Sequence, residues 1–176
     1  MTDNLPLTYI SILLGILVVV AIFLFRQVLK TRKIESRFSN LQKKLTTEKG
    51  TAQEYYELGS IYLDKKLFVQ AVQLLQKALK ADNDLSLENK ALIYNAMGFA
   101  YFSQEQYDIA IRNYKEAIKL YPEYTIALNN LGNVYEKKQL TAQALEVYKQ
   151  TLVFDDKNII AQKRVESLAK RFSPTN

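Results

Sequence analysis

The 176-residue chain has no histidine, no cysteine and no tryptophan, which removes the commonest general base, the thiolate nucleophile, disulfides and the usual zinc and copper ligands. Its net charge of +6 is unevenly placed: eight Lys or Arg against two Glu fall between residues 26 and 49, while Gly50 onward holds 16 basic and 15 acidic residues. A domain so nearly neutral lacks the basic stripe that phosphate backbones require, so no nucleic-acid partner is expected.

Residues 1–6 form a short tail with Asp3 as its single charge, and residues 7–25, LTYISILLGILVVVAIFLF, follow without a charge. As a helix this run covers about 28 Å, close to the thickness of a bilayer's hydrocarbon. A cleaved secretory signal is disfavoured, because no basic residue precedes the run and Arg26-Gln27-Val28 replaces the small residues of a cleavage site. An uncleaved transmembrane helix is therefore expected over 7–25, with a basic juxtamembrane helix or linker over 26–50. The cations after the run and none before it place the tail across the membrane and the remainder on the cytoplasmic or stromal side, with the flank touching anionic headgroups. Within the flank Ile34, Phe38, Leu41 and Leu45 fall at helical spacing. That stripe can continue the membrane helix, lie on the bilayer, pack on the domain or pair between copies, and the sequence leaves these open, as it leaves self-association.

Beyond residue 50 the chain repeats itself. Gly59, Gly98 and Gly132 each sit in the frame Tyr/Leu-x-x-Leu/Met-Gly-x-x-Tyr, carried by Tyr55, Leu58 and Tyr62, then Tyr94, Met97 and Tyr101, then Leu128, Leu131 and Tyr135. Small residues recur downstream at Ala71 and Ala78, Ala110 and Ala117, and Ala144, with Pro122 closing the second unit. The glycine spacings are 39 and 34 residues, so five residues are inserted after the first unit. Helix-interior glycine costs about 1 kcal/mol relative to alanine, so its recurrence at one relative position implies close approach of backbones there. Thr51 to Glu54 reads as a capping box, and Ser86 as the cap of a lengthened helix using the inserted residues. Asp82, Asp84, Ser86 and Glu88 alternate as in a calcium loop, but Leu87 stands where the sharp turn needs glycine, so a capping loop is expected rather than a metal site.

These motifs resemble the tetratricopeptide repeat. The resemblance covers residues 52–158 and implies an all-α fold: three helical hairpins at 52–90, 91–124 and 125–158, a capping helix at 159–172 (Ile159, Ile160, Val165, Leu168, Phe172) and a disordered tail at 173–176. The departures are Thr151 where the pattern has Ala, and Asn83 and Asp156 where it has Pro. Such a stack curves and exposes its A helices on a concave side. The family's groove places correspond to Gln53, Tyr56, Ser60, Leu63 and Asp64, to Leu92, Asn95, Phe99, Phe102 and Ser103, and to Ile126, Asn129, Asn133, Glu136 and Lys137. Lys137 is the only base among them, so the several cations that clamp a terminal carboxylate in some family members are lacking. Aromatics and amides suit a peptide segment or helix with few charges. The expected protein-binding set is Tyr56, Ser60, Leu63, Asn95, Phe99, Phe102, Asn129, Asn133, Glu136 and Lys137, with no catalytic residue, cofactor or metal.

One span, a basic flank, three repeats, a capping helix and no cysteine together resemble the cyanobacterial and plastid-encoded tetratricopeptide proteins that act in photosystem I assembly or stability. That resemblance implies a non-enzymatic scaffold at the thylakoid membrane, repeats facing stroma or cytoplasm, holding photosystem I subunits. The alternative is an envelope or periplasmic adaptor for another membrane complex.

Overall fold

The computed structural model describes residues 5–82 and 84–171. Residues 1–4 of the expected tail, Asn83, Phe172 and the expected tail at 173–176 lie outside them. The described residues hold eight α-helices and no strand, and the chain divides into two units, Met1–Thr47 and Glu48–Asn176.

The first unit is one helix, α1 (Leu5–Thr47), 43 residues long. Pro6 falls in its first turn, where a missing N–H leaves no hydrogen bond unmade, and no later proline interrupts it. Ser11 keeps its hydroxyl satisfied within the apolar run by donating to the Leu7 carbonyl at 2.8 Å. Every residue from 7 to 37 is exposed. At the other end Thr46 and Thr47 donate to the carbonyls of Lys43 and Lys44, at 2.7 and 3.1 Å. Residues 26–47 thus continue the apolar run as the same helix.

The second unit is a stack of hairpins: α2 (Ala52–Asp64) with α3 (Phe68–Ala81), α4 (Leu87–Ser103) with α5 (Tyr107–Leu120), and α6 (Thr125–Lys137) with α7 (Thr141–Phe154). Successive hairpins join through α3 on α4 and α5 on α6, and α8 (Ile159–Ala169) covers α7. The expected caps are present. Thr51 Oγ1 accepts from the Glu54 amide at 3.2 Å while Glu54 Oε2 accepts from the Thr51 amide at 3.0 Å. Ser86 Oγ accepts from the Asn89 amide at 3.2 Å and opens α4, which at 17 residues is four longer than α2 or α6.

Each hairpin turns in the same way, through a residue in the left-handed region: Lys66 (φ 60°), Glu105 (φ 58°) and Gln139 (φ 59°). The next amide closes a six-residue loop back to the A helix in all three, from Leu67, Gln106 and Leu140 to the carbonyls of Tyr62, Tyr101 and Tyr135, at 2.8, 2.9 and 2.9 Å. None of the three is glycine, so each hairpin holds a conformation that costs an L-residue about 1 kcal/mol.

The repeated glycines are explained differently from the sequence expectation. A Cβ on Gly98 would stand 2.7 Å from the Tyr114 ring, and one on Gly132 would stand 2.6 Å from the Tyr148 ring. What comes close is therefore an aromatic side chain of the partner helix rather than its backbone. Gly59 faces the smaller Leu75, at 3.1 Å. Tyr114 and Tyr148 are almost fully buried, as are Ala71, Ala78, Ala110, Ala117 and Ala144. Thr151, where the repeat pattern has Ala, is also fully buried, and its hydroxyl donates to the Val147 carbonyl at 3.1 Å, so no polar group is stranded.

A candidate protein-binding groove

Contacts of α2 with α4 and of α4 with α6 make the A helices the tighter, inner layer of the stack. All fifteen positions expected in the groove lie on these three helices. Their side chains, however, fall into two groups.

One group is engaged within the fold, most of it in holding helices and repeats together. Asn95 Oδ1 accepts from Asn130 Nδ2 at 2.9 Å, and Asn95 Nδ2 donates to the Tyr124 hydroxyl at 3.3 Å, so this amide ties α4 to the next hairpin. Burial raises the Tyr124 pKa, with the charge of Tyr56 adding to the effect, while the Asn95 hydrogen bond offsets part of it. Asn129 Nδ2 donates to Asn158 Oδ1 at 3.1 Å, and the same Asn158 oxygen caps α8 through the Ala161 amide at 3.1 Å. Asn129 Oδ1 is buried and accepts no hydrogen bond. Ser60 donates to the Tyr56 carbonyl at 2.9 Å. Glu136 accepts from the Tyr148 hydroxyl at 2.8 Å and pairs with Arg164 at 3.4 Å, linking α6, α7 and α8. Burial pushes the Tyr148 phenol well up, the Glu136 hydrogen bond and charge push it further, and Arg164 counteracts them. Leu63 packs against the core around Leu75 and Met97, and Phe102 against the core around Tyr114, with its ring 5.8 Å from that of Tyr107.

The other group remains available to a partner. Phe99 is exposed despite its size, as is Ile126. Among the described residues Asn133 has no hydrogen-bond partner, and Lys137 is exposed. Tyr56 is half-buried: like Leu63 it packs against the core around Leu75 and Met97, and it also lines a cavity of about 320 Å³ with Ala52, Gln53, Leu85, Asn89, Leu92 and Ile93. No charged residue is among these, and two amides supply the polar contacts. Ala52 and Ile93 adjoin the expected Gln53 and Leu92 without being among the fifteen positions, whereas Leu85 and Asn89 lie apart from all fifteen. They come from the segment lengthened by the five-residue insertion, whose apolar Leu85 and Leu87 were the only available signal. The acidic alternation at 82–88 serves the turn instead: the Asp84 amide donates to Asp82 Oδ1 at 2.9 Å. Among the described residues no cluster of three metal-ligating side chains occurs.

Sequence profiles of the tetratricopeptide repeat match residues 52–85, 98–139 and 127–159. The protein ycf37 of Cyanophora paradoxa is 36% identical over 164 residues, covering 93% of this chain and 95% of its own length. This chain is a tetratricopeptide-repeat protein of the ycf37 family. The ycf37 protein of Guillardia theta is 34% identical, with 97% and 96% covered. The tetratricopeptide repeat domain-containing protein PYG7, chloroplastic, of Arabidopsis thaliana is 36% identical over 96% of this chain, and the match spans 56% of its own length. Among solved structures, MamA superposes with a TM-score of 0.71 over 81% of each chain at 23% identity. The first tetratricopeptide domain of Spaghetti (RPAP3), bound to an HSP90 peptide, superposes with a TM-score of 0.62 over 69% of this chain and 94% of its own at 20% identity. These structural likenesses speak for the ycf37 fold as a repeat solenoid.

Proposed function

We propose that this ycf37-family protein is a membrane-anchored scaffold that binds protein segments of low charge in its groove and holds photosystem I subunits at the thylakoid membrane during assembly. The observation that carries the binding mode is the available half of the groove. Tyr56 beside an uncharged cavity, exposed Phe99 and unengaged Asn133 offer apolar anchoring and amide hydrogen bonds, with Lys137 the one base among the fifteen groove positions. The exposed, uncharged run of α1 supports the membrane location, since water does not tolerate so long a contiguous apolar surface. The +6 flank that follows it supports repeats on the cytoplasmic or stromal side. The chloroplast protein of Arabidopsis and the ycf37 relatives support the photosynthetic context. Confinement to the membrane plane raises the effective concentration of a membrane-bound partner, so a modest groove affinity suffices.

The test is affinity isolation from mildly solubilised thylakoids, with wild type beside a Tyr56→Ala/Phe99→Ala/Asn133→Ala variant. Wild type is expected to retain photosystem I subunits and the variant to lose them. Equal retention by both removes the groove from the account, and a wild-type eluate holding a different membrane complex removes photosystem I. Protease added to the stromal side of intact thylakoids is expected to digest the repeats, and protection of the repeats refutes the orientation.

A further inference from the structure

The cations of α1 are arranged more selectively than an orienting flank needs. The positive-inside rule counts charges without regard to helix face. At about 100° of rotation per residue, Lys30, Lys33, Arg37 and Lys44 all fall within about 40° of Arg26 around the helix axis, five of the seven cations in α1, while Arg32 and Lys43 lie about 100–120° off that row. Glu35, the only acidic residue in α1, lies about 180° away, and Ile34, Phe38, Leu41 and Leu45 form their own row at about 60–120°.

Distance from the apolar run divides the basic row. Arg26 directly follows Phe25; Lys30 stands about 6 Å further along the axis, Lys33 about 10 Å, Arg37 about 16 Å and Lys44 about 27 Å. Headgroups occupy about 5–7 Å on each side of the hydrocarbon. Helical side chains lean toward the N-terminus, here back toward the bilayer, and long cationic side chains carry their charge along that direction into the headgroup layer. Arg26, Lys30 and Lys33 are exposed and within that reach. Arg37 and Lys44 lie past it and already take part in interactions within the chain.

We infer that Arg26, Lys30 and Lys33 form a one-sided site for the headgroup of an anionic lipid, held against α1 at the stromal or cytoplasmic surface, a site that rests on the membrane placement proposed for this helix. Arg26 supplies a planar fork for the anionic oxygens, and the two ammonium groups close the site from above. Because the site occupies one face, it fixes which side of the helix turns toward anionic lipid.

The full chain is reconstituted into vesicles of equal phosphatidylglycerol and phosphatidylcholine, extracted gently, and its co-purified lipid quantified. Wild type is expected to enrich phosphatidylglycerol roughly thirtyfold or more, the scale set by two or three cations each favouring an anionic surface. Arg26→Gln/Lys30→Gln/Lys33→Gln is expected to fall several-fold, to the residual attraction of Arg32 outside the row. The charge-conserving shuffle Lys30→Thr/Thr31→Lys/Lys33→Ser/Ser36→Lys keeps the orienting charge but scatters it around the helix, and is expected to fall well below wild type, to the level that unarranged charge supports. Enrichment by the shuffled chain equal to wild type shows that charge number alone acts and overturns the site, as does parity for wild type, which leaves the row to an acidic protein segment. Carbonate extraction of the same vesicles separates the two levels. Wild type that stays inserted without enrichment sinks only the lipid site, whereas release into the supernatant sinks the membrane reading and the site with it.

Discussion

Replacing each repeat glycine with alanine discriminates sharply between hairpins that look equivalent in sequence. Alanine in place of a helix-interior glycine stabilises by about 1 kcal/mol when there is room. At Gly98 the new methyl would lie 2.7 Å from two atoms of the Tyr114 ring, and at Gly132 it would lie 2.6 Å from the Tyr148 ring. Carbon contacts are comfortable at about 3.5–4.0 Å, so a ring or a helix must move by nearly 1 Å. Neither ring is free to do so: both are about 1% exposed, and Tyr148 is also tied to Glu136. Overpacking of this kind costs about 1–3 kcal/mol, and a clash this close belongs at the upper end, so after the helix gain a net loss of about 1–2 kcal/mol is expected at each site. At Gly59 the nearest atom is Leu75 Cγ at 3.1 Å. A shift of a few tenths of an ångström relieves that contact, and the result is expected within about 0.5 kcal/mol of wild type. The measurement is thermal unfolding by circular dichroism in detergent, where a loss of 1 kcal/mol lowers Tm by about 2–4 °C for a chain of this size. Combining Gly98→Ala with Tyr114→Leu recreates the alanine–leucine pair that Gly59→Ala makes with Leu75 in the first hairpin, and is expected to recover much of the loss. If Gly59→Ala proves as damaging as the other two, or Gly98→Ala matches wild type, ring contact is not what selects these glycines.

Glycine is expected to stabilise the three turns instead. Glu105→Gly relieves a left-handed conformation worth about 1–2 kcal/mol and gives back part of that through the freer unfolded chain, for a net gain of about 0.5 kcal/mol. Urea midpoints of the single and triple variants at Lys66, Glu105 and Gln139 check whether the gains add. Alkaline pH is expected to destabilise the stack, because burial raises the pKa of both Tyr114 and Tyr148. The native phenols keep their protons after those of the unfolded chain are lost, so stability is constant below about pH 10 and falls above it by about 1.4 kcal/mol per pH unit for each tyrosine. Tyr148→Phe should shallow that decline, and it should cost about 1 kcal/mol at neutral pH through the lost bond to Glu136; an unchanged alkaline slope counts against burial as the cause. Asn95→Ala is expected to lose about 1–2 kcal/mol by breaking two inter-repeat bonds, whereas Asn133→Ala should leave unfolding unchanged and weaken partner retention alone. Equal unfolding curves for these two variants would undo the division of the groove.

That division marks where local sequence ceases to be informative. The hairpins were legible because their causes are periodic: Gly59, Gly98 and Gly132 recur against Ala71, Ala110 and Ala144, and the caps at Thr51 and Ser86 bond only three residues ahead. The turns were not, since Lys66, Glu105 and Gln139 reveal nothing of their φ by residue type. Groove asparagines pose the harder case. A repeat position gives each one an address on the concave face, yet the bonds that decide its role reach from Asn95 to Tyr124 and Asn130, and from Asn129 to Asn158. Those partners lie about one repeat away, so they meet only after the hairpins have stacked. An amide so engaged has no hydrogen bonds to offer a peptide without breaking the stack, whereas Asn133 and Phe99 are not committed in this way. In the proposed binding mode the engaged amides therefore act indirectly, by fixing the spacing of the A helices that carry Tyr56, Phe99 and Asn133. A groove whose spacing is fixed before its partner arrives loses less conformational entropy on binding, which is how a shallow and nearly uncharged surface can hold a specific segment.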